Sequence, residues 1–282
     1  MKKSMRVLSL LVGFVLCIAC CMGAILLNDL YVQLDRQDYY SDNLPMEFYG
    51  YRILCISDFH DSFYFDQVSK LIAEEKPDMV LFLGDMTELA HASWNNTLSL
   101  LDAIDDSIPV YGVLGNHEVM SKNVQAIAVD LEAHGMYLLN NEKITLTREG
   151  ASIDLIGLRD ITDGDDADLT QSWDMEHTQL YLETAVNPKE FTLVAAHRAT
   201  LYPYLKDYPA DLMLSGHVHG GVVRLPKVGG VFDVDGSYFP DYDKGFYSEG
   251  EMDLYVSTGC NFNWSKMRVF NPPTITLLTL KR

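Results

Sequence analysis

The chain has 282 residues, 48% of them hydrophobic, and a formal net charge of −19. That size supports one large core with a short appendage, and no repeat, low-complexity tract or second composition regime interrupts it. The scarcity of Lys and Arg excludes a nucleic-acid binder, which grips phosphate backbones with clustered cations, so any phosphate chemistry must draw its positive charge from bound metal ions.

Residues 7–27, VLSLLVGFVLCIACCMGAILL, run for 21 positions without a charge, enough helix to cross a hydrocarbon core about 30 Å thick. Lys2, Lys3 and Arg6 precede them and favour a cytoplasmic N-terminus. The expectation is a single-pass anchor over residues 1–27 that holds the rest of the chain on the outer side of the cell membrane. A cleaved signal peptide is the rival, disfavoured because the run exceeds the usual apolar region of about 7–15 residues. A lipid-modified Cys20 is a further alternative. With Cys17, Cys20 and Cys21 in this segment, only Cys55 and Cys260 lie beyond it, which excludes a disulfide scaffold. Residues 28–50, polar, aromatic and interrupted by Pro45, read as a stalk leading into a domain over residues 51–282.

In that domain apolar runs at 52–57, 79–83 and 110–114 alternate with helix-length segments at 65–75, 94–106 and 121–134. Parallel strands need crossover helices and cover on both faces, so the pattern predicts an α/β sheet flanked by helices. After His134 the sequence becomes strand-rich, with candidates at 136–139, 143–147, 153–158, 191–195, 212–214, 254–257 and 274–280, enough for a second sheet. Helices are expected at 175–184 and 200–206, and the acidic stretch 160–174 reads as a solvated loop.

The chemistry-bearing residues follow the apolar runs. Asp58-Phe59-His60, Gly84-Asp85, Gly115-Asn116-His117-Glu118, His197 and Gly216-His217-Val218-His219-Gly220-Gly221 each come just past a predicted strand, where loops in α/β folds converge. Residues two apart in an extended segment point the same way, which pairs Asp58 with His60 and His217 with His219. Five of the eight histidines fall in these clusters; His91, His134 and His177 fall in helices or loops and read as structural. Each cluster alone is ambiguous: a lone Asp-x-His is usually a turn or cap, and a bare Gly-Asp says less. All five in one chain point to a metal centre, and mixed imidazole, carboxylate and amide donors suit Mn²⁺, Zn²⁺ or iron better than Ca²⁺ or Mg²⁺.

This ordered set resembles the calcineurin-like metallophosphoesterase superfamily, and the segments Leu44-Pro45, Arg224-Leu225-Pro226, Lys244-Gly245-Phe246-Tyr247 and Pro272-Pro273 resemble its YkuE/YaeI-like branch of membrane-associated phosphodiesterases. The resemblance implies a four-layer α/β/β/α sandwich of two mixed sheets, preceded here by the transmembrane helix. It implies one divalent ion held by Asp58, His60, Asp85 and His219, and a second held by Asp85, Asn116, His197 and His217. It leaves His117 as the catalytic group that donates to the leaving oxygen, a role suited to imidazole. Two such ions would bind phosphoryl oxygens and activate a water for in-line attack.

The sequence departs from the branch at Asp61-Ser62 and at Arg198-Ala199. Arg198 is expected on the surface, with phosphate contact as the alternative. Phe239, Tyr242, Phe246 and Tyr247 are expected to pack rather than to line the site. The leading substrate is a diester or pyrophosphate near the lipid surface, with manganese as the leading metal. The rivals are a phosphatase of soluble nucleotide or protein phosphates and a non-catalytic cell-envelope binding module. No nucleic-acid partner is expected, and the sequence leaves the oligomeric state open.

Overall fold

Because the central strands are buried on both faces, their sequences are unbroken apolar runs, and each run of the domain becomes a strand. The computed structural model describes residues 11–16, 22–23, 27–89, 93–161, 173–234, 236–261 and 268–282. The first of two six-stranded sheets has the order β1 (Gln33–Tyr40), β14 (Thr274–Lys281), β2 (Arg52–Ile56), β3 (Met79–Leu83), β4 (Val110–Val113), β5 (Met136–Leu138). The second has the order β12 (Gly245–Ser248), β13 (Asp253–Val256), β9 (Leu212–Gly216), β8 (Thr192–Arg198), β7 (Ala151–Gly157), β6 (Glu142–Arg148). Both are mixed: β14 is antiparallel to β2, while β2 to β5 run parallel. In the second sheet β7, β8, β9 and β13 run parallel between antiparallel edge strands.

The period-2 alternation of each strand sorts its side chains into layers. Ile53, Cys55, Leu81 and Leu83 of the first sheet meet Leu155, Leu193 and Leu214 of the second in a central seam. Their neighbours Leu54, Ile56, Val80 and Phe82 face helices Phe65–Glu75, Asn95–Asp102 and Val124–Ala133. Ile156, Val194 and Met213 face helices Trp173–Ala185 and Tyr202–Leu205. The result is the expected α/β/β/α order.

The segment expected as a stalk is partly a strand. β1 pairs in parallel along the whole of β14, from Gln33 with Thr274 to Tyr40 with Lys281, and Tyr39 crosses the seam to donate a 2.8 Å hydrogen bond to the Asp211 carbonyl. Its sequence, QLDRQDYY, looks like a linker because only one strand edge is paired and most of its side chains stay at least partly exposed. The short hairpin β10 (Arg224–Leu225) with β11 (Gly229–Gly230), and β12, were also unexpected. Phe246 stacks on Tyr39 at 5.9 Å and Tyr242 meets Tyr202 at 5.3 Å, so these aromatics pack as expected, whereas Phe239 is exposed.

Most of the apolar run over residues 7–27, and residues 162–172 of the acidic stretch, lie outside the described residues. Among the described residues no helix is long and apolar enough to cross a membrane.

Candidate metal centre

The strands' C-terminal ends bring the predicted residues together from both sheets. Asp58 follows β2 by two residues, Asp85 follows β3 by two, and Asn116 and His117 open a one-turn helix just past β4. From the second sheet His197 lies within β8, and His217 and His219 follow β9. The convergence does not come from extended backbone, as the period-2 argument supposed. Asp58, His60, Asp85, His217 and His219 all have φ between 48° and 72°, the left-handed region that costs a non-glycine residue roughly 1–2 kcal/mol. Sheet-like bonds hold two of these turns together: Asp58 N–H donates to Gly84 O, His60 N–H to Asp85 O and Asp61 N–H to Met86 O. Strain concentrated in this way is typical of functional sites.

Two clusters result. In one, His219 Nε2 lies 3.2 Å from Asp58 Oδ1, with His60 alongside. In the other, His197 Nε2 lies 3.0 Å from Asn116 Oδ1, 3.2 Å from His217 Nδ1 and 3.4 Å from Asp85 Oδ2. Asp85 stands between them. Its Oδ1 accepts the His117 N–H at 2.9 Å, which leaves Oδ2 facing His60 Nε2 at 3.7 Å, His197 Nε2 at 3.4 Å and His117 Nε2 at 3.8 Å. All seven predicted ligands and His117 are therefore neighbours. The backbone must approach closely at Gly216, where a Cβ would collide with Ser57 Oγ and Asp58 Oδ2.

The donor set fits divalent cations. Both ring nitrogens of His60 are buried without a hydrogen bond, and an ion held at the lone-pair nitrogen would supply one of the missing partners. His197 Nδ1 is 2.8 Å from the Leu83 carbonyl, and donating there turns the Nε2 lone pair toward Asp85, Asn116 and His217, the orientation of a metal-bound imidazole. Burial alone would raise Asp85, yet His197, His60 and His117 hold it well below the usual carboxylate range. Burial likewise opposes the charged form of His197, but Asp85 and Asp58 outweigh it and push the imidazole up to about 10. The pocket thus attracts positive charge.

Glu88, Arg268 and Asp160, which sequence reasoning did not single out, and Glu118, which it quoted within a motif but gave no role, support the centre. Glu88 lies 3.3 Å from His117 Nδ1 and 3.5 Å from His60 Nδ1, and these imidazoles hold it well below its usual range. The buried Glu118 accepts from the amides of Asp85, Thr87 and Gly115 and from the Thr87 hydroxyl, so its carboxylate fixes both ligand-bearing turns. Arg268, also buried, donates to the Thr258 carbonyl and lies 3.4 Å from His219 Nδ1. Asp160 is buried and pairs with Arg198 at 3.1 Å. Of these, Glu118 carries a signal in sequence through the Gly115-Asn116-His117-Glu118 motif and Glu88 a weaker one through the Asp85-x-x-Glu88 spacing.

Arg198 itself is 6% exposed, which corrects the expectation of a surface arginine: Asp160 receives its guanidinium, and its Nη1 lies 3.4 Å from His217 Nε2. Removing one side of a buried ion pair leaves the other charge in a poor solvent. Arg198→Met should cost about 3 kcal/mol of unfolding free energy, read from the denaturant midpoint; a change under about 0.5 kcal/mol would make the pair dispensable. Away from the centre, His134 pairs with Asp102 and His177 lies in the helix Trp173–Ala185, while His91 lies outside the described residues.

A sandwich of two mixed sheets with this centre at one edge defines a metallophosphoesterase, and residues 51–221 match the calcineurin-like phosphoesterase family. The chain belongs to that family and is a metal-dependent hydrolase of phosphoester bonds. It is 28% identical to the metallophosphoesterase YkuE of Bacillus subtilis over 249 residues, 86% of this chain and 82% of that one. Phosphodiesterase YaeI of Escherichia coli is 28% identical over 260 residues, covering 87% and 86%. The UDP-2,3-diacylglucosamine pyrophosphatase LpxG of Chlamydia muridarum is 24% identical over 310 residues, covering 88% of each chain.

Proposed function

We propose that this hydrolase cleaves a phosphodiester or pyrophosphate linkage of a lipid-linked substrate, using two divalent transition-metal ions, with manganese first and zinc or iron as alternatives. Asp58, His60, Asp85 and His219 would hold one ion and Asp85, Asn116, His197 and His217 the other. The observation that carries the reading is the position of Asp85 Oδ2 between imidazoles of both clusters. Bound there, such ions would supply Lewis-acid polarisation of a phosphoryl group and activation of a water. His117 would contribute the proton donor: its Nε2 faces the Asp85 side of the centre at 3.8 Å, while its Nδ1 lies against the Glu88 carboxylate at 3.3 Å and the Leu89 amide at 3.0 Å, which hold the ring in place.

The diester and pyrophosphate classes rest on the names of YaeI and LpxG. The lipid-linked substrate rests on LpxG and on the apolar run over residues 7–27, which would anchor the domain on the outer side of the cell membrane. The test is chelation followed by reconstitution. Dialysis against a chelator should remove hydrolysis of bis-p-nitrophenyl phosphate, and manganese should restore it. A screen across lipid, nucleotide and sugar diesters with the restored enzyme should then favour the lipid-linked compounds. Turnover that survives chelation would overturn the metal assignment, and activity confined to soluble monoesters would overturn the substrate.

A further inference from the structure

The chain enters the first sheet at the edge that carries the metal centre. β1 is parallel to β14 and β14 antiparallel to β2, so Gln33, paired with Thr274, stands at the end where β2 delivers Asp58. Just before it, Asp29 is buried: its carbonyl accepts from the Tyr64 hydroxyl and its carboxylate from the Arg268 amide. Arg268 reaches within 3.4 Å of His219, a candidate ligand, so one buried side chain separates the incoming chain from the centre. Asp29 lies two residues past Leu27, at most about 7 Å of extended backbone. An anchor that ends at Leu27 leaves no slack for the domain to turn a different end toward the membrane.

The same edge carries exposed apolar side chains. Leu30 and Tyr31 adjoin Asp29, and the Phe63 ring lies 4.4 Å from that of Tyr64. The Leu89 amide bonds to His117, Met120 closes the one-turn helix that bears Asn116 and His117, and Phe270 precedes Asn271, which donates to the His219 carbonyl. These six are between 40% and 65% exposed. Phe270 also holds φ at 53°, a conformation unusual for an aromatic residue, while its ring stays in solvent. An apolar rim around a polar centre is unfavourable in water and favourable at a lipid interface. The acidic net charge supplies no attraction to an anionic leaflet, which leaves the tether and the apolar rim to make the contact.

We propose that the domain rests with this edge on the bilayer, the six side chains dipping into the interface around the centre, and that its substrate is a phosphorylated head group carried by an amphiphile of the same membrane. This rests on the phosphoesterase and anchor readings above and adds the orientation that joins them. The test uses the full chain with Cys17, Cys20 and Cys21 replaced by Ala, in phosphatidylcholine vesicles containing a doxyl-labelled lipid. Cys55 and Cys260 are buried and stay unlabelled. Single fluorescent labels are placed through Phe63→Cys, Phe270→Cys and, as the far-end control beside the start of β2, Tyr49→Cys. Quenching at 63 and 270 should exceed that at 49 several-fold. Equal or reversed quenching in protein that floats with the vesicles would overturn the orientation. Protein that fails to float would overturn the anchor reading and this proposal with it. Hydrolysis of bis-p-nitrophenyl phosphate by the same samples, supplied with manganese, reports separately on the phosphoesterase reading, so its loss would overturn that reading and the substrate with it while leaving the orientation standing.

Discussion

Asp85→Ala should lower phosphodiester turnover roughly 10⁴-fold while the protein stays folded. Its Oδ2 faces imidazoles of both clusters, and its Oδ1 holds the His117 amide in place. In the proposed arrangement its loss would take a shared donor from both ion sites and free the turn that carries His117. If each ion supplies about 3 kcal/mol of transition-state stabilisation, the combined loss of about 6 kcal/mol corresponds to that factor. Metal content should fall from two equivalents toward none, measured by elemental analysis after gel filtration. Near-normal turnover with normal circular dichroism would refute the bridging role.

Glu118→Ala should be the most damaging change to stability, at about 5 kcal/mol. Four buried donors, the amides of Asp85, Thr87 and Gly115 and the Thr87 hydroxyl, converge on this carboxylate. Each deprived buried donor costs about 1–3 kcal/mol, and the hydroxyl alone can rotate elsewhere. Burial and the nearby Asp85 charge raise the pKa of Glu118 while these donors oppose them, so the carboxylate depends on its cradle as much as the turns depend on it. Glu118→Gln should do less harm, because one oxygen still serves Thr87 while the new amide faces the Asp85 and Gly115 N–H groups. Urea unfolding of both variants checks the order. A loss below about 1 kcal/mol for Ala would show that the turns hold themselves.

The central strands were legible because burial on both faces leaves no polar interruption: MVLFL at 79–83 admits few other readings. The ligands were legible because their residue types are rare immediately after such runs. What was not legible depends on partners distant in sequence. β1 carries Asp35, Arg36 and Asp38 because one of its edges is open to solvent, so its place is set by β14 at the other end of the chain. Arg198 is buried because Asp160, 38 residues earlier, receives it. Glu118 sits inside a recognised motif, but three of its four bonds reach a turn more than thirty residues away, and spacing alone could not assign that work. The left-handed turns were invisible for a related reason: Asp and His carry no glycine-like signal, and at Asp58, His60 and Asp85 the conformation goes with a ladder between 58–61 and 84–86 that joins two distant turns.

The pairing of β1 with β14 bears on how a shortened, soluble version should be cut. A chain beginning at Tyr51 would discard β1 and leave TITLLTLK with one hydrogen-bonding side open, an apolar ribbon free to recruit another copy. Trimming between Leu27 and Asp29 instead keeps that side covered and preserves the Tyr64 and Arg268 contacts that secure the first turn of the fold. Clumping of the Tyr51 version, with the longer one staying monodisperse in light scattering, is the expected contrast.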